Sequence, residues 1–499
     1  MKTGKVWLVG AGPSDAGLIT VKGLNVLKNA DVVVYDKLVG VEILNLIPET
    51  SKKIDVGKSS NNHLVPQEQI NQILLNEALS GNRVVRLKGG DPFLFGRGGE
   101  ELELIVRHQI PFEIVPGITS AISVPAYAGI PVTHRDYCSS LHIITGHTKS
   151  GEEPDINFDA LVKLNGTMVF LMGVAALDTI CRGLLHAGMS PDQPAAIIER
   201  GTTARQRKVI STLKNLVEDA ARNEIKAPSV IVVGEVCTLA EDFSWAERRP
   251  LHGIRVVVTR PEKLGSILSE KIRNLGGESI EFPCIKTVPD FEGTLLSKAV
   301  KNIRQYNWVV FTSAAGVEAV FEKLYRVGKD IRELFGLKIA VIGSGTEELL
   351  KKRGIQVDYI PDTYNAQSLG AGLAALVKED EKVLILRAKE GSQDLNHALE
   401  QAGVKYLDVP VYETIYNTEG CEFSGAVITG GQFDFALFTS ASTVKGFINA
   451  MPHLDYTQIN ALCIGEQTAK EARGCGMQVT ISPQATIDSM VETLIKLNH

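Results

Sequence analysis

Short apolar runs, each ending in a polar or glycine-containing loop, recur along the whole chain. In its first part they are Lys5–Val9, Val32–Tyr35, Lys53–Val56, Val84–Leu87 and Glu113–Val115. Runs of this length bounded by turn residues predict buried strands. Between them, Leu18–Ala30 and the stretch from Pro66 to about Leu79 predict helices, and an amphipathic run begins at Leu102. Strands alternating with helices predict a largely parallel sheet. From Leu141 the pattern restarts, with strands predicted at Leu141–His147, Thr167–Met172, Ala195–Ile198 and Ser229–Val233. Charge, proline and glycine in Glu247-Arg248-Arg249-Pro250-Leu251-His252-Gly253 interrupt it, which predicts a boundary. A new strand, Ile254–Val258, follows at once, and then a helix through about Leu275.

The last part contains an internal repeat. Val309–Val317 aligns with Ala436–Val444, and Ile339–Thr346 with Ala461–Thr468. The register continues through Gly354 with Gly476 and Pro361 with Pro483. Two similar α/β lobes are implied, with Thr-Ser and Gly-x-x-Thr loops at strand ends. Backbone amides and hydroxyls in such loops suit carboxylates. Each loop taken singly also reads as a helix N-cap.

One loop stands out. Gly89–Glu101 carries five glycines between the Val84–Leu87 strand and the following helix, where α/β folds place ligands. It reads either as a ligand loop, with Asp91 as an acceptor, or as a tight turn whose Glu100 and Glu101 favour the helix dipole. Gly10-Ala11-Gly12-Pro13-Ser14-Asp15 tempts a dinucleotide reading, but Asp15 stands where G-x-G-x-x-G needs its last glycine, and Pro13 lacks an amide donor. Asp36, just past a buried strand, is placed either for a cleft or as a loop cap.

The 499 residues suggest roughly three domains. With 44% hydrophobic and 22% charged residues the chain can bury full cores. A net charge of −6 argues against a general nucleic-acid binder and requires any polyanionic substrate to be held by local donors. Seven scattered cysteines without C-x-x-C argue against a disulfide framework or zinc site, so no metal is expected and a reducing, cytoplasmic setting fits. No run approaches a membrane span or a signal peptide.

Residues 4–240 resemble the tetrapyrrole methylases, and among them the uroporphyrinogen-III C-methyltransferases. The matching pieces, in order, are Val9–Pro13, Tyr35-Asp36, Gly57-Lys58, Arg86–Pro92, Phe95–Glu101, Val115–Ser120, Ala128–Pro131, Thr133–Asp136, Met172-Gly173 and Glu199–Thr203. The resemblance implies a two-lobed α/β fold, about 1–133 and 134–245, with S-adenosylmethionine bound between the lobes. By position the cofactor would touch Pro13, Gly89, Gly90, Asp91, Leu94, Thr119, Ser120, Met172 and Gly201. Asp36 and Lys58 would take acid–base roles, and Arg97 would bind substrate. Three departures bear on this: Ser14 stands where the family usually has glycine, Ser59 where it has arginine, and Asn61 near a family glycine.

Residues from about 252 to 495 resemble the uroporphyrinogen-III synthases, through Val258–Pro261, Phe311–Ser313, Leu386-Arg387, Val411–Thr414, Phe438–Ser440 and Ile464-Gly465 with Thr468-Ala469. This implies a linker at 246–252 and a two-lobed domain over 253–499 with flavodoxin-like lobes. One lobe would be discontinuous, 253–287 plus 417–499, and the other 288–416. Tyr412 would donate or orient a proton near the leaving hydroxyl. Thr468, Thr439, Ser440 and Ser313 would bind carboxylates, with Arg260 and Arg387 as ion partners and no cofactor in this half. Together the resemblances imply a bifunctional enzyme that turns hydroxymethylbilane into uroporphyrinogen III and methylates that to precorrin-2. The methylase half implies a homodimer. The alternative is a methylase of the same superfamily with another substrate, its second half sensing a ligand.

Overall fold

The computed structural model describes residues 3–57, 65–146, 155–260, 262–417 and 421–498. Its strands form four five-stranded sheets. The first contains β1 (Lys5–Gly10), β2 (Val32–Tyr35), β3 (Lys52–Asp55), β4 (Arg83–Lys88) and β5 (Phe112–Val115), in the order β3-β2-β4-β1-β5. Every pair is parallel. A parallel sheet covered on both faces needs continuously apolar strands, and β2 shows this. Val32 and Val34 enter one core cluster and Val33 the other, all buried.

The second sheet contains β6 (Leu141–Thr145), β7 (Thr167–Leu171), β8 (Pro194–Glu199), β9 (Arg207–Thr212) and β10 (Ser229–Val233), ordered β6-β7-β10-β8-β9. Here the expectation of parallel strands fails. Only β6 and β7 run parallel; β10 is antiparallel to both neighbours, and β8 to β9. The unpredicted strand β9 explains part of this. Residues 200–206 join β8 to β9, too short a connection for a parallel crossover of a dozen or more residues.

In the second half, β11 (Arg255–Val258) and β12 (Glu278–Glu281) open a third sheet. The chain then crosses into a fourth, built from β13 (Ile285–Pro289), β14 (Trp308–Phe311), β15 (Lys338–Val341), β16 (Lys382–Ala388) and β17 (Lys405–Tyr416). It returns to the third for β18 (Phe435–Phe438), β19 (Asn460–Cys463) and β20 (Gln478–Ile481). The orders are β12-β11-β18-β19-β20 and β13-β17-β16-β14-β15. The repeat in the sequence falls on equivalent units: β14 and β15 with their helices in one sheet, β18 and β19 with theirs in the other. Among the described residues no helix is long and apolar enough to cross a membrane.

Residues 246–252 are not a free tether. Ala246 and Leu251 are buried, and Arg249 lies over the Trp245 ring, which itself packs on Tyr127. The two halves also meet directly. Phe423 packs edge-on against Tyr35, with centroids 5.5 Å apart, and Asn45 Nδ2 donates to Ser424 Oγ at 2.9 Å. Glu42, in the short helix Val41–Leu44, reaches β12, where its Oε1 accepts from Ser279 N at 3.1 Å and Ser279 Oγ at 3.0 Å.

Burial pushes the Glu42 carboxyl up to about 7, helped by Glu278 and opposed by Arg273 and Ser279. Its folded value thus lies above the ordinary 4.5, so the folded state retains a proton that the unfolded chain releases. The associated stability is complete below the unfolded value and is lost as pH rises through about 7. Glu42→Gln imitates the protonated form and removes this dependence. Its stability advantage over the parent is expected to grow by about 1–3 kcal/mol between acid and mildly alkaline pH, read from denaturant unfolding at several pH values. An advantage that stays constant with pH would count against a buried carboxyl at this contact.

Candidate functional site

The first sheet delivers its loops to one rim. At the ends of β1 and β4 the chain doubles on itself: Gly90 N donates to Gly12 O at 2.8 Å and Gly12 N to Gly90 O at 3.1 Å. Such an approach leaves no room for side chains, since a Cβ at Gly10 would lie 2.4 Å from Gly117 Cα. Asp91 ties its own loop to the one at Gly117. Its Oδ1 accepts from Phe93 N at 2.8 Å and Leu94 N at 3.1 Å, and its Oδ2 from Gly117 N at 3.0 Å. Asp91 is therefore first a keystone of the loop, and Oδ2 keeps capacity for one further donor.

The neighbouring residues converge here. Thr119 caps the helix Ser120–Tyr127, its Oγ1 accepting from Ala121 N at 3.2 Å. A Cβ on Gly90 would stand 3.9 Å from Ser120 N, so a hollow of atomic size separates that glycine from the start of the helix. Gly201 abuts Val124, where a Cβ would fall 2.3 Å from Cγ1. Thr202 Oγ1 donates to Pro13 O and so bonds a second-lobe loop to a first-lobe one, while within the first lobe Tyr127 OH donates to Asp15 Oδ2 at 2.7 Å. Leu94 packs into the cluster that joins Val124 of the first lobe to Leu171 of the second. Met172 follows Leu171 and is 50% exposed.

Nine described non-glycine residues have positive φ, and six of them, Ser14, Phe95, Arg97, Met172, Arg200 and Thr202, lie in these loops. Backbone strain of this kind collects where a site over-determines its geometry. It also accounts for Ser14, whose φ of +100° suits the glycine the family usually carries.

Asp36 sits beside this rim. Gly89 abuts Leu38, and Asp36 Oδ1 accepts from Leu38 N at 3.1 Å. Its Oδ2 accepts from Arg86 Nη2 at 3.1 Å. Lys58 lies outside the described residues. Arg97 is exposed and forks onto Glu100, through Nε at 3.0 Å and Nη2 at 2.6 Å. Glu101 departs from the dipole reading. It is fully buried, and its Oε1 accepts from Arg86 Nε at 3.1 Å and Lys88 Nζ at 2.8 Å. Burial and the adjacent Arg86 press the Lys88 ammonium below its ordinary range, while Glu101 and Asp36 pull it back. In the sequence Arg86 and Lys88 stand out only as parts of a motif, and the signal for their pairing is two cations at alternate positions toward the end of a buried strand.

In the second half the expected residues fall into two groups. Arg260, Thr439 with Ser440, and Thr468 stand beyond the ends of adjacent strands β11, β18 and β19. Ser440 Oγ caps the helix Ala441–Ala450 in a capping box, and Thr468 is buried in the first turn of Glu466–Gly474. Arg260 Nε is buried without a hydrogen-bond partner among the described residues, and burial lowers its pKa. Ser313 and Tyr412 meet in the other sheet. A bulge at Val411 sets Tyr412 opposite Ala388 and leaves its hydroxyl 2.9 Å from Ser313 Oγ. Burial raises the Tyr412 phenol, keeping it neutral. Arg387, expected as a substrate ion partner, is engaged internally: it forks onto Asp408, with Nε at 2.8 Å from Oδ1, and donates to Ser392 O at 2.6 Å.

Two paired α/β lobes, each pair with its own set of glycine, hydroxyl and cationic loops, define a two-part class of chain, and the comparisons place both parts. Residues 5–217 match the family of tetrapyrrole (corrin/porphyrin) methylases, and residues 266–492 match uroporphyrinogen-III synthase HemD. Over 497 residues the chain is 47% identical to the porphyrin biosynthesis protein HemD of Ruminiclostridium josui, covering 100% of this chain and 99% of that protein. It is 40% identical over 375 residues to the uroporphyrinogen-III C-methyltransferase of Bacillus subtilis, covering 74% of this chain and 76% of the relative. A solved uroporphyrin-III C-methyl transferase of Thermus thermophilus, complexed with S-adenyl homocysteine, is 40% identical, covers 47% of this chain and 99% of its own, and has a TM-score of 0.42. The chain belongs to this family of tetrapyrrole-biosynthesis enzymes, a tetrapyrrole methylase fused to a uroporphyrinogen-III synthase.

Ser14→Gly is expected to raise stability by about 0.5–1 kcal/mol, the relief of a left-handed serine less the added freedom of glycine in the unfolded chain. Thermal unfolding of the two proteins checks this, and a lower melting temperature in the variant would mean that the serine side chain holds the loop.

Proposed function

We propose that the second half cyclises hydroxymethylbilane to uroporphyrinogen III, inverting ring D with loss of water. The first half would then methylate that product at C2 and C7 with S-adenosylmethionine, giving precorrin-2. The observation that carries the reading is the relationship along the whole length to a porphyrin biosynthesis protein, with a methylase and a synthase family matched in one chain. The product of one half is thereby the substrate of the other. A cytoplasmic setting, tetrapyrrole substrates and a homodimer through the methylase half belong to the same reading.

The residues present fit the methyl donor. The hollow between Gly90 and the amide end of Ser120–Tyr127 accepts a group in close backbone contact, and Asp91 Oδ2 has acceptor capacity left. Pro13, Gly89, Leu94, Thr119, Met172 and Gly201 would complete its walls. When bound, S-adenosylmethionine supplies an electrophilic methyl on a sulfonium. A pyrrole β-carbon becomes more nucleophilic as its ring N–H loses a proton, and Asp36 would be the carboxylate that accepts it. The bonded lobes fix the angle between donor and acceptor, where alignment contributes most. Arg97 would hold a substrate carboxylate, and Lys58 would share the acid–base role.

In the synthase half the substrate ionises largely by itself, so the protein's task is to hold the chain in the shape that closes correctly. The Arg260 Nε, buried without a partner among the described residues, supports carboxylate binding near Thr439, Ser440 and Thr468. Neutral Tyr412, aligned by Ser313, can give a proton to the departing hydroxyl. The fork of Arg387 onto Asp408 favours a supporting role for that residue over substrate binding.

The test supplies purified protein with hydroxymethylbilane, with and without S-adenosylmethionine, and identifies the oxidised products. Uroporphyrin III alone is expected without the methyl donor, and dimethylated product with it. Uroporphyrin I in both would overturn the synthase reading, and the lack of any methylated product would overturn the methyltransferase reading. Asp91→Ala removes three accepted hydrogen bonds from the donor loop, and S-adenosylmethionine binding measured by calorimetry is expected to weaken at least ~100-fold while ring closure keeps its rate. Loss of both activities would show that the halves do not work independently.

A further inference from the structure

Four ionisable side chains lie together beneath the Gly89–Glu101 loop, and the chemistry proposed above uses only Asp36. Arg86 and Lys88 alternate along β4 and so face the same side, toward the helix Gly98–Arg107 that carries Glu101. Their side chains are 3% and 7% exposed, Glu101 is 0% exposed, and Asp36, at 24%, is the member that reaches solvent. Arg86 uses its guanidinium as a fixed fork. Nε donates to Glu101 Oε1 at 3.1 Å, Nη1 to Leu87 O at 3.0 Å and Val34 O at 3.4 Å, and Nη2 to Asp36 Oδ2 at 3.1 Å. Gln67 Nε2 adds a third donor to Glu101 Oε1 at 3.2 Å, so that oxygen is held from three sides while Oε2 is buried without a partner among the described residues.

We propose that Arg86 is a positioning residue for methyl transfer: clamped by buried Glu101, it holds the Asp36 carboxylate in the orientation from which that group meets the substrate. The inference rests on the role given to Asp36 above. The balance of charge favours it, since two cations face two carboxylates and none of the four is left uncompensated. The geometry favours it as well. With Oδ1 accepting from Leu38 N and Oδ2 from Arg86, two bonds from opposite sides orient the carboxylate plane, while the side chain stays 24% exposed. Lysine cannot replace this fork, because one ammonium cannot span Glu101, two carbonyls and Asp36 at once.

Arg86→Lys keeps the buried charge and is the variant of choice, with Asp36→Asn and the double variant beside it. The full-length chain is given uroporphyrinogen III and saturating S-adenosylmethionine, and kcat, KM, the Kd of the methyl donor and the melting temperature are read. Asp36→Asn is expected to lower kcat roughly 100-fold and Arg86→Lys roughly 10-fold, with the donor Kd changed by less than about 3-fold. The double variant is expected to match Asp36→Asn within about 3-fold, because a residue acting through Asp36 has nothing left to position. A double variant slower by the product of the two single losses would overturn the proposal, as would an Arg86→Lys enzyme with the parent's kcat. A fully active Asp36→Asn enzyme would instead overturn the role of Asp36 itself.

Discussion

A carboxylate with no access to solvent governs the first half of the molecule. Glu101 is fully buried, and an uncompensated charge there would cost several kcal/mol, so the opposing strand has to supply cations. Strand β4 does so at Arg86 and Lys88, the positions its pleat turns toward the helix. Once those pairs form, the start of the helix Gly98–Arg107 is tied to the end of β4, and the chain between them must close a short, crowded loop. Glycine at 90 and left-handed Phe95 and Arg97 are the consequence. The rim is thus shaped from below, by buried ion pairs.

The second constraint acts between lobes. Gly10, Gly90 and Gly117 bring three loops within backbone contact, and Asp91 fastens two of them. The second lobe is then bonded across the gap by Thr202 to Pro13, by Gly201 against Val124, and by Gln206 Nε2 to Tyr127 O at 3.1 Å. Arg200 and Thr202 adopt positive φ to make these contacts. A cleft held this way cannot widen without breaking several bonds at once. Fixed lobes suit in-line transfer between two bound molecules, where the angle matters more than any single contact.

The α/β class and the repeat were readable because both rest on local pattern: apolar runs became strands and glycine loops became rims. What the pattern missed was tertiary. Glu101 looked like half of an exposed acidic pair, and nothing in one dimension separates it from Glu100, which stays at the surface with Arg97. Strand β9, with the sequence Arg-Lys-Val-Ile-Ser-Thr, lacks the apolar density that marks the other strands, and the mixed direction of its sheet was lost with it. Arg387 looked available because Asp408, its partner, lies on a neighbouring strand. Asp91 reads from the sequence as an open acceptor of the loop, but it accepts from Phe93 and Leu94 in its own turn and from Gly117 across the rim, and only the fold shows that most of its acceptor capacity is already used.

The contact between the halves follows a different logic. Burying Glu42 against Ser279 is poor adhesion, since desolvation outweighs the pull of Arg273 at 3.9 Å. Two free proteins meeting through such a face would gain little. Here the segment 246–252 joins them, and packing of Leu251 and of Arg249 on Trp245 keeps that segment short in effect. Tethering raises the local concentration of one half about the other to roughly millimolar or more, so a weak face suffices. The contact can then favour specific polar geometry over affinity: Glu42 on Ser279, Asn45 on Ser424, and Arg205 on Asp434 at 3.5 Å each fix position rather than add apolar area. Because Tyr35, which packs on Phe423, directly precedes Asp36, the docking surface bears on the strand that leads into the proposed acid–base group.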